Sequence, residues 1–257
     1  MGNSTDPLDE QRKTIYELLS KFAAKRKVWY ESKSSINLRL LMEKDIVMFA
    51  SRGVANASEF VYEAFRAKES TSEETVMGTL RQEICAAVSA DTLDTGDMTT
   101  MRDGNLYMCE LKSQANTVNS SSFPQELREL RDKCEMMSRF RRASNQKVLP
   151  AFCVMRNNRP IDEMRVFHPN DRDMSNKDLD GFTYRYLAGG AFWQWLIGHD
   201  SVDDLIESFD NVELGGVAYA REKCVERLQK EMSDALQAEG LGTTMDDVLT
   251  LKRRRFS

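Results

Sequence analysis

Apolar residues recur at helical spacing from Leu8 to about Val88. Ile15, Leu18, Leu19 and Phe22 form one such set, and Leu38, Leu40, Leu41, Ile46 and Phe49 another. The run Ser51-Arg52-Gly53 interrupts the pattern, and a further helix is predicted through Phe60, Val61 and Phe65. The stretch Ser70-Thr71-Ser72-Glu73-Glu74 offers capping side chains followed by acids, which predicts a new helix start carrying Val76, Leu80, Ile84 and Val88. The first third of the chain thus reads as helical. From Leu93 the period changes. Thr95 to Met101 is predicted as a strand, Arg102-Asp103-Gly104-Asn105 as a turn, and Leu106 to Lys112 as a second, alternating strand. Asp-Gly between two such runs is a strong hairpin signal, because both turn positions need positive φ.

A polar loop, Ser113 to Ser122, leads to a helix that opens at Ser122 with Pro124 in its first turn. Val148 to Met155 has the texture of a buried strand and Met164 to Phe167 of a shorter one. From Ala191 the pattern returns to helix and ends in Lys252-Arg253-Arg254-Arg255. The order helix, hairpin, helix, strand is that of an α/β core. The predicted division is an N-terminal helical region over 1–70 and a core over 71–257 that keeps the C-terminal helices.

Composition narrows the classes. With 41% hydrophobic and 30% charged residues the chain is an ordinary globular sequence. No run of about 18 apolar residues is present and the N-terminus lacks a secretory pattern, so no membrane partner is expected. Met1-Gly2-Asn3-Ser4 misses the spacing for myristoylation. The five cysteines, Cys85, Cys109, Cys134, Cys153 and Cys224, form no Cys-x-x-Cys, which argues against zinc and for a reducing, cytoplasmic setting. Only His168 and His199 are available for imidazole chemistry. The net charge of −5 weighs mildly against nucleic acid. A metal-dependent nuclease, however, needs clustered carboxylates, with basic groups along one cleft only.

The hairpin carries the chemistry. Residues two apart on a strand share a face, so Glu110 and Lys112 project together, and Asp97 stands on the preceding antiparallel strand. Two converging carboxylates make a hard oxygen site suited to Mg²⁺, and a neighbouring ammonium can orient an attacking water. Acid-x-Lys alone carries little information. Glu31-Ser32-Lys33 is such a pair in a polar stretch, whereas Glu110-Leu111-Lys112 ends an alternating strand opposite an acid. The bland alternative is a set of solvated charges on an edge hairpin.

At this point a resemblance enters. The block GDMTTMRDGNLYMCELKSQANTVNSSS is similar to the core motif of PD-(D/E)XK nucleases, in particular type II restriction endonucleases, with Gly96-Asp97 where the family name has Pro-Asp. Glu110-Leu111-Lys112-Ser113, followed by Asn116, Asn119 and Ser120, resembles the catalytic lysine and polar loop of those enzymes. Gly78 and Glu83 lie on a segment similar to the helix before the active site. Gly189 to Leu196 resembles a Gly-x-x-Phe-Trp-x-Trp-Leu helix of enzymes that cut interrupted GGNCC-type palindromes.

The resemblance implies a mixed central sheet flanked by helices, an α/β (α+β) restriction-endonuclease-like core with an N-terminal helical region for dimerisation or DNA grip. It implies a Mg²⁺-dependent deoxyribonuclease acting as a homodimer on double-stranded DNA in a prokaryotic cytoplasm, without a nucleotide cofactor. Asp97 and Glu110 would be metal ligands, the Leu111 carbonyl would join them, and Lys112 would position water. Glu83 would be an accessory acid or an exposed helix carboxylate. A repair or resolvase-type nuclease, and a helical DNA-binding protein without chemistry, are the other readings.

DNA contacts are expected from Ser113, Gln114, Asn116, Asn119 and Ser120, whose hydroxyls and amides can meet phosphates or base edges. On the following helix Leu127, Leu130, Cys134 and Met137 form a core face. Arg128, Arg131, Arg139 and Arg142 fill an adjacent arc of roughly 80°, as a phosphate-tracking surface would. Glu135 intrudes on that arc and can pair with Arg131 or Arg139. Phe192, Trp193 and Trp195 are expected in the core, the Lys252–Arg255 run at a frayed end, and both histidines in structural or surface roles.

Overall fold

The computed structural model describes residues 7–88, 93–95, 97–114, 122–140, 146–169 and 174–256, with the side chains of 7, 93–95, 97 and 174 outside that description. The helices are α1 (Pro7–Glu31), α2 (Leu38–Met42), α3 (Ile46–Ser51), α4 (Ala57–Val88), α5 (Phe123–Phe140), α6 (Gly190–Ile197), α7 (Val217–Ala238) and α8 (Met245–Arg255). The strands are β1 (Leu93–Thr95), β2 (Asp97–Arg102), β3 (Asn105–Gln114), β4 (Val148–Arg156), β5 (Ile161–Val166) and β6 (Thr183–Ala188).

They form one mixed sheet in the order β1-β2-β3-β4-β6-β5. β1, β2 and β3 are antiparallel neighbours, β4 runs parallel to β3, β6 parallel to β4, and β5 antiparallel to β6. The mixed sheet flanked by helices is the fold that the sequence predicts. Asp103 and Gly104 both take positive φ, 51° and 74°, so the β2–β3 turn is the tight hairpin expected of Asp-Gly. Strand β6 goes unpredicted: its alternation is between aromatic and charged positions. Arg185 makes two hydrogen bonds of 2.8 Å to Asp162 on β5, and its neighbours Tyr184 and Tyr186 are buried.

Helix α5 returns antiparallel to β3 and packs on one face of the sheet. Leu130 and Cys134 meet Leu106 and Met108, and Leu127 meets Phe152 and Val154. The other face carries the odd-numbered residues. There Met155 takes a contact of 3.6 Å from Cys85 of α4, and its carbonyl accepts from Trp193 Nε1 of α6 at 2.9 Å. Phe192 and Trp193 are core residues, as expected. Arg102 donates to the carbonyls of Trp195 and Leu196, satisfying the end of α6 and fixing it beside the hairpin.

The chain divides into two compact units, Met1–Leu18 with Gly78–Asn211, and Leu19–Met77 with Val212–Ser257. The expected boundary near residue 70 instead falls inside α4. That helix is continuous because the hydroxyls of Thr71 and Thr75 bond back to the carbonyls of Ala67 and Thr71 rather than capping a new start. The C-terminal helices, expected with the core, share their apolar cluster with the second unit, where Phe60, Phe65, Leu228, Met232, Val248 and Leu251 pack together. The basic end is not frayed. Lys252 to Arg255 form the last turn of α8, where cations suit the helix dipole, and Arg254 and Arg255 both pair with Glu239.

All five cysteines are free and buried, and burial pushes the Cys134 thiol up to about 12. Among the described residues no helix is long and apolar enough to cross a membrane.

Candidate active site

Strand β3 alternates as its sequence requires. Leu106 and Met108 face α5, so Glu110 and Lys112 follow on the same face toward the strand's end. Because α5 runs back along β3, its first turn arrives beside that end and brings Glu126 with it. The Lys112 ammonium lies 3.0 Å from Glu110 Oε1 and 2.8 Å from Glu126 Oε1. Lys133, two turns along α5, approaches Glu110 Oε2 at 4.0 Å. The side chains of Glu110, Glu126 and Lys112 are only 12%, 18% and 20% exposed, so these charges interact in a partly dried environment. Burial alone would lower the Lys112 pKa, but the bonds to Glu126 and Glu110 outweigh it and hold the ammonium above its ordinary value.

The sequence-predicted residues fall in different places. Met98 pairs with Cys109, and continuing that antiparallel register by one residue sets position 97 opposite Glu110. The Asp97 side chain itself lies outside the described residues. Leu111 is buried between Glu110 and Lys112 on the opposite face. Glu83 is half-buried near the end of α4. Ser113 and Gln114, both half-buried, end β3. Asn116, Asn119 and Ser120 of the loop, and Arg142 of the stripe, lie outside the described residues. The rest of the arginine stripe is engaged with acids: Arg128 and Arg131 both hold Asp178, at 2.8 and 3.1 Å, and Arg139 lies 3.7 Å from Glu135. The two guanidiniums drive the Asp178 carboxyl far below its ordinary value. His168 is exposed and bonded to Asp180. Lys33, of the second acid-x-Lys pair, is exposed in the turn after α1 and far in sequence from the sheet.

Glu126 is the residue that the sequence reading missed. A signal was present: a helix that folds back antiparallel on a strand sets its first turn beside the strand's end, so an acid there falls next to Lys112. One further observation bears on Mg²⁺. The second oxygen of Glu126 is buried and has no hydrogen-bond partner among the described residues. A buried carboxylate oxygen left over beside a second carboxylate is an acceptor surplus, which a hard cation fits and an apolar core does not.

Residues 9–213 match the family of the type II restriction endonuclease EcoO109I. The chain belongs to that family. The match covers the whole hairpin, α5 and the sheet, so the cluster at Lys112 lies in the core of a nuclease family whose substrate is DNA. No curated protein matches the chain.

Proposed function

We propose that this restriction-endonuclease family member hydrolyses both strands of a specific duplex site in a Mg²⁺-dependent reaction, with Asp97, Glu110 and Lys112 as its catalytic trio. The observation that carries the reading is the Lys112 ammonium fixed between Glu110 and Glu126 at the end of β3, with position 97 across the ladder. Asp97, Glu110 and the Leu111 carbonyl would hold the ion. When bound, Mg²⁺ supplies positive charge to the scissile phosphate and acidifies the attacking water. Lys112 donates hydrogen bonds that orient this water and offset the charge that builds on the phosphoryl oxygens. Glu126 keeps the ammonium in place when Glu110 turns toward the ion. Glu83 is a further acid available from α4.

Ser113, Gln114, Asn116, Asn119 and Ser120 would touch the duplex beside the trio, with Arg128, Arg131 and Arg139 along its phosphates. One trio aligns one scissile phosphate, so breaking both strands calls for a second copy. A homodimer on a palindrome, formed through the N-terminal helical region, supplies it. The α6 sequence supports a site of the interrupted GGNCC kind, and the setting is the prokaryotic cytoplasm.

Sequencing the ends of plasmid fragments produced with Mg²⁺ tests this reading. Every end should map to one sequence that reads alike on both strands, and sedimentation should give a dimer. Ends scattered over the plasmid, or nicks in one strand by a monomer, would replace it with a repair-type nuclease.

A further inference from the structure

The carboxyl ends of the three mutually parallel strands, β3, β4 and β6, open into a cavity of about 630 Å³. Its walls include Arg81 from α4, Gln114 from the last residue of β3, Arg156 from the last of β4, and Asn157 and Asn158 from the turn that follows. None of these except Gln114 figured in the sequence-derived site.

The glycines at its back explain how it forms. Gly189 takes φ +57°, and a Cβ there would sit 2.6 Å from the carbonyl oxygen of Asn157. Only glycine lets the start of α6 approach the Asn157–Asn158 turn this closely. No side chain caps that helix start, and Gly189 and Gly190 line the cavity there.

The lining is chemically selective. Trp193 is the one aromatic residue among its described lining residues, and it is a buried core residue whose indole nitrogen is bonded to the Met155 carbonyl. Its charged lining is two guanidiniums, Arg81 and Arg156, and two carboxylates, Asp200 and Asp203. Burial and the nearby Arg156 charge both hold the Arg81 guanidinium below its ordinary pKa, while Asp203 acts the other way. Arg81 is half-buried and Arg156 exposed; two like charges lining one cavity repel each other, and an anion placed between them offsets that repulsion.

Gln114 links the cavity to the catalytic face. It lies two residues beyond Lys112 on the same side of β3, about 7 Å further along the strand. Phosphates of one DNA strand recur every ~3.4 Å along the duplex axis, so the step from Lys112 to Gln114 is of the order of the spacing between nearby phosphates.

The geometry points to a second anion site: the cavity takes a backbone phosphate that flanks the one cut, held between Arg81 and Arg156, with Asn158 on the same wall. The site positions the duplex and reads no sequence. Asp200 and Asp203 also line the cavity. They balance its charge in the free protein, and Asp203 therefore opposes binding. The proposal rests on the nuclease reading above.

The test is fluorescence anisotropy of a random-sequence duplex with Ca²⁺ in place of Mg²⁺, over a series of salt concentrations. The wild type, the Arg81→Ala/Arg156→Ala double variant, its Arg81→Lys/Arg156→Lys counterpart and Asp203→Asn are compared. The double alanine variant should flatten the dependence of log K on log salt by about two, one for each lost phosphate contact. The lysine pair should restore most of the slope, which separates lost charge from a damaged fold. Asp203→Asn should tighten binding several-fold. A double alanine variant with the wild-type slope and affinity overturns the phosphate site and leaves the nuclease reading standing. A wild type that fails to bind any duplex overturns both.

Discussion

Replacing Lys112 with alanine is expected to slow DNA cleavage by about a hundred- to ten-thousand-fold, the range seen when a positioned proton-handling or charge-stabilising group is removed. Lys133 reaches Glu110 at 4.0 Å and through its other oxygen. Glu110→Ala and Asp97→Ala should slow cleavage at least as much and should also abolish heat release on titration with Mg²⁺ or Ca²⁺. Glu126→Gln removes one of two anchors on Lys112 and should cost about ten- to a hundred-fold, as loss of an outer-shell partner does. It should leave binding of the ion measurable. Lys33→Ala should be silent. Single-turnover rates on one plasmid give the ranking, with circular dichroism confirming the fold. Near wild-type cleavage by Lys112→Ala would remove the trio as assigned.

The largest effect on stability is expected from Glu69→Ala, far from the trio in sequence. Glu69 is buried, and Arg221 grips its carboxylate through two bonds of 2.7 and 2.9 Å. Tyr30 donates a third bond at 2.7 Å and in turn accepts from the buried Arg26 at 3.3 Å. Removing the carboxylate strands Arg221 and the Tyr30 hydroxyl in a partly apolar setting. A fully buried pair costs about 3–5 kcal/mol to break, and because the Arg221 side chain is 36% exposed the loss here is expected nearer about 2–3 kcal/mol. Burial would raise the Glu69 pKa, but Arg221 and Tyr30 together bring it below its ordinary value.

The sign for pH follows. A depressed carboxyl contributes stability that is fully present above the ordinary value of 4.5 and is lost as pH falls through the lower folded value. Burial and the Glu69 carboxylate also push the Tyr30 phenol up to about 12, so it stays a donor across the neutral range. Urea unfolding at pH 7 and pH 3 should show a large gap between wild type and Glu69→Ala at pH 7 and a smaller one at pH 3. An equal gap at both would assign the loss to packing instead of charge.

How much of this was legible in the sequence depends on the range of the interaction that decides each feature. The hairpin was readable because Asp103-Gly104 sets its turn locally and the alternation of Leu106, Met108 and Glu110 sets its faces. Helix α5 was readable from Ser122, Pro124 and the spacing of Leu127, Leu130 and Cys134. The continuity of α4 was not, because Thr71 and Thr75 serve equally well as caps or as donors to carbonyls one turn back, and only the folded chain chooses. Strand β6 was obscured because Arg185 occupies a strand position only by virtue of Asp162, which is 23 residues away.

The same limit governed the site. Glu110 and Lys112 are neighbours on one strand, whereas Glu126 joins them through the reversal of chain direction between β3 and α5. The arginine stripe was visible as a pattern, but its pairing with Asp178, some 50 residues on, was not. Arg81, Arg156 and Gly189 meet at the strand ends only because β3, β4 and β6 run parallel.

Incubating the purified protein with a supercoiled plasmid, once with Mg²⁺ and once with a chelator, tests the central claim most directly. The account predicts discrete linear fragments with Mg²⁺, intact plasmid without it, and intact plasmid in both lanes for Lys112→Ala. An untouched plasmid in the wild-type Mg²⁺ lane, or equal cutting with the chelator present, would contradict it.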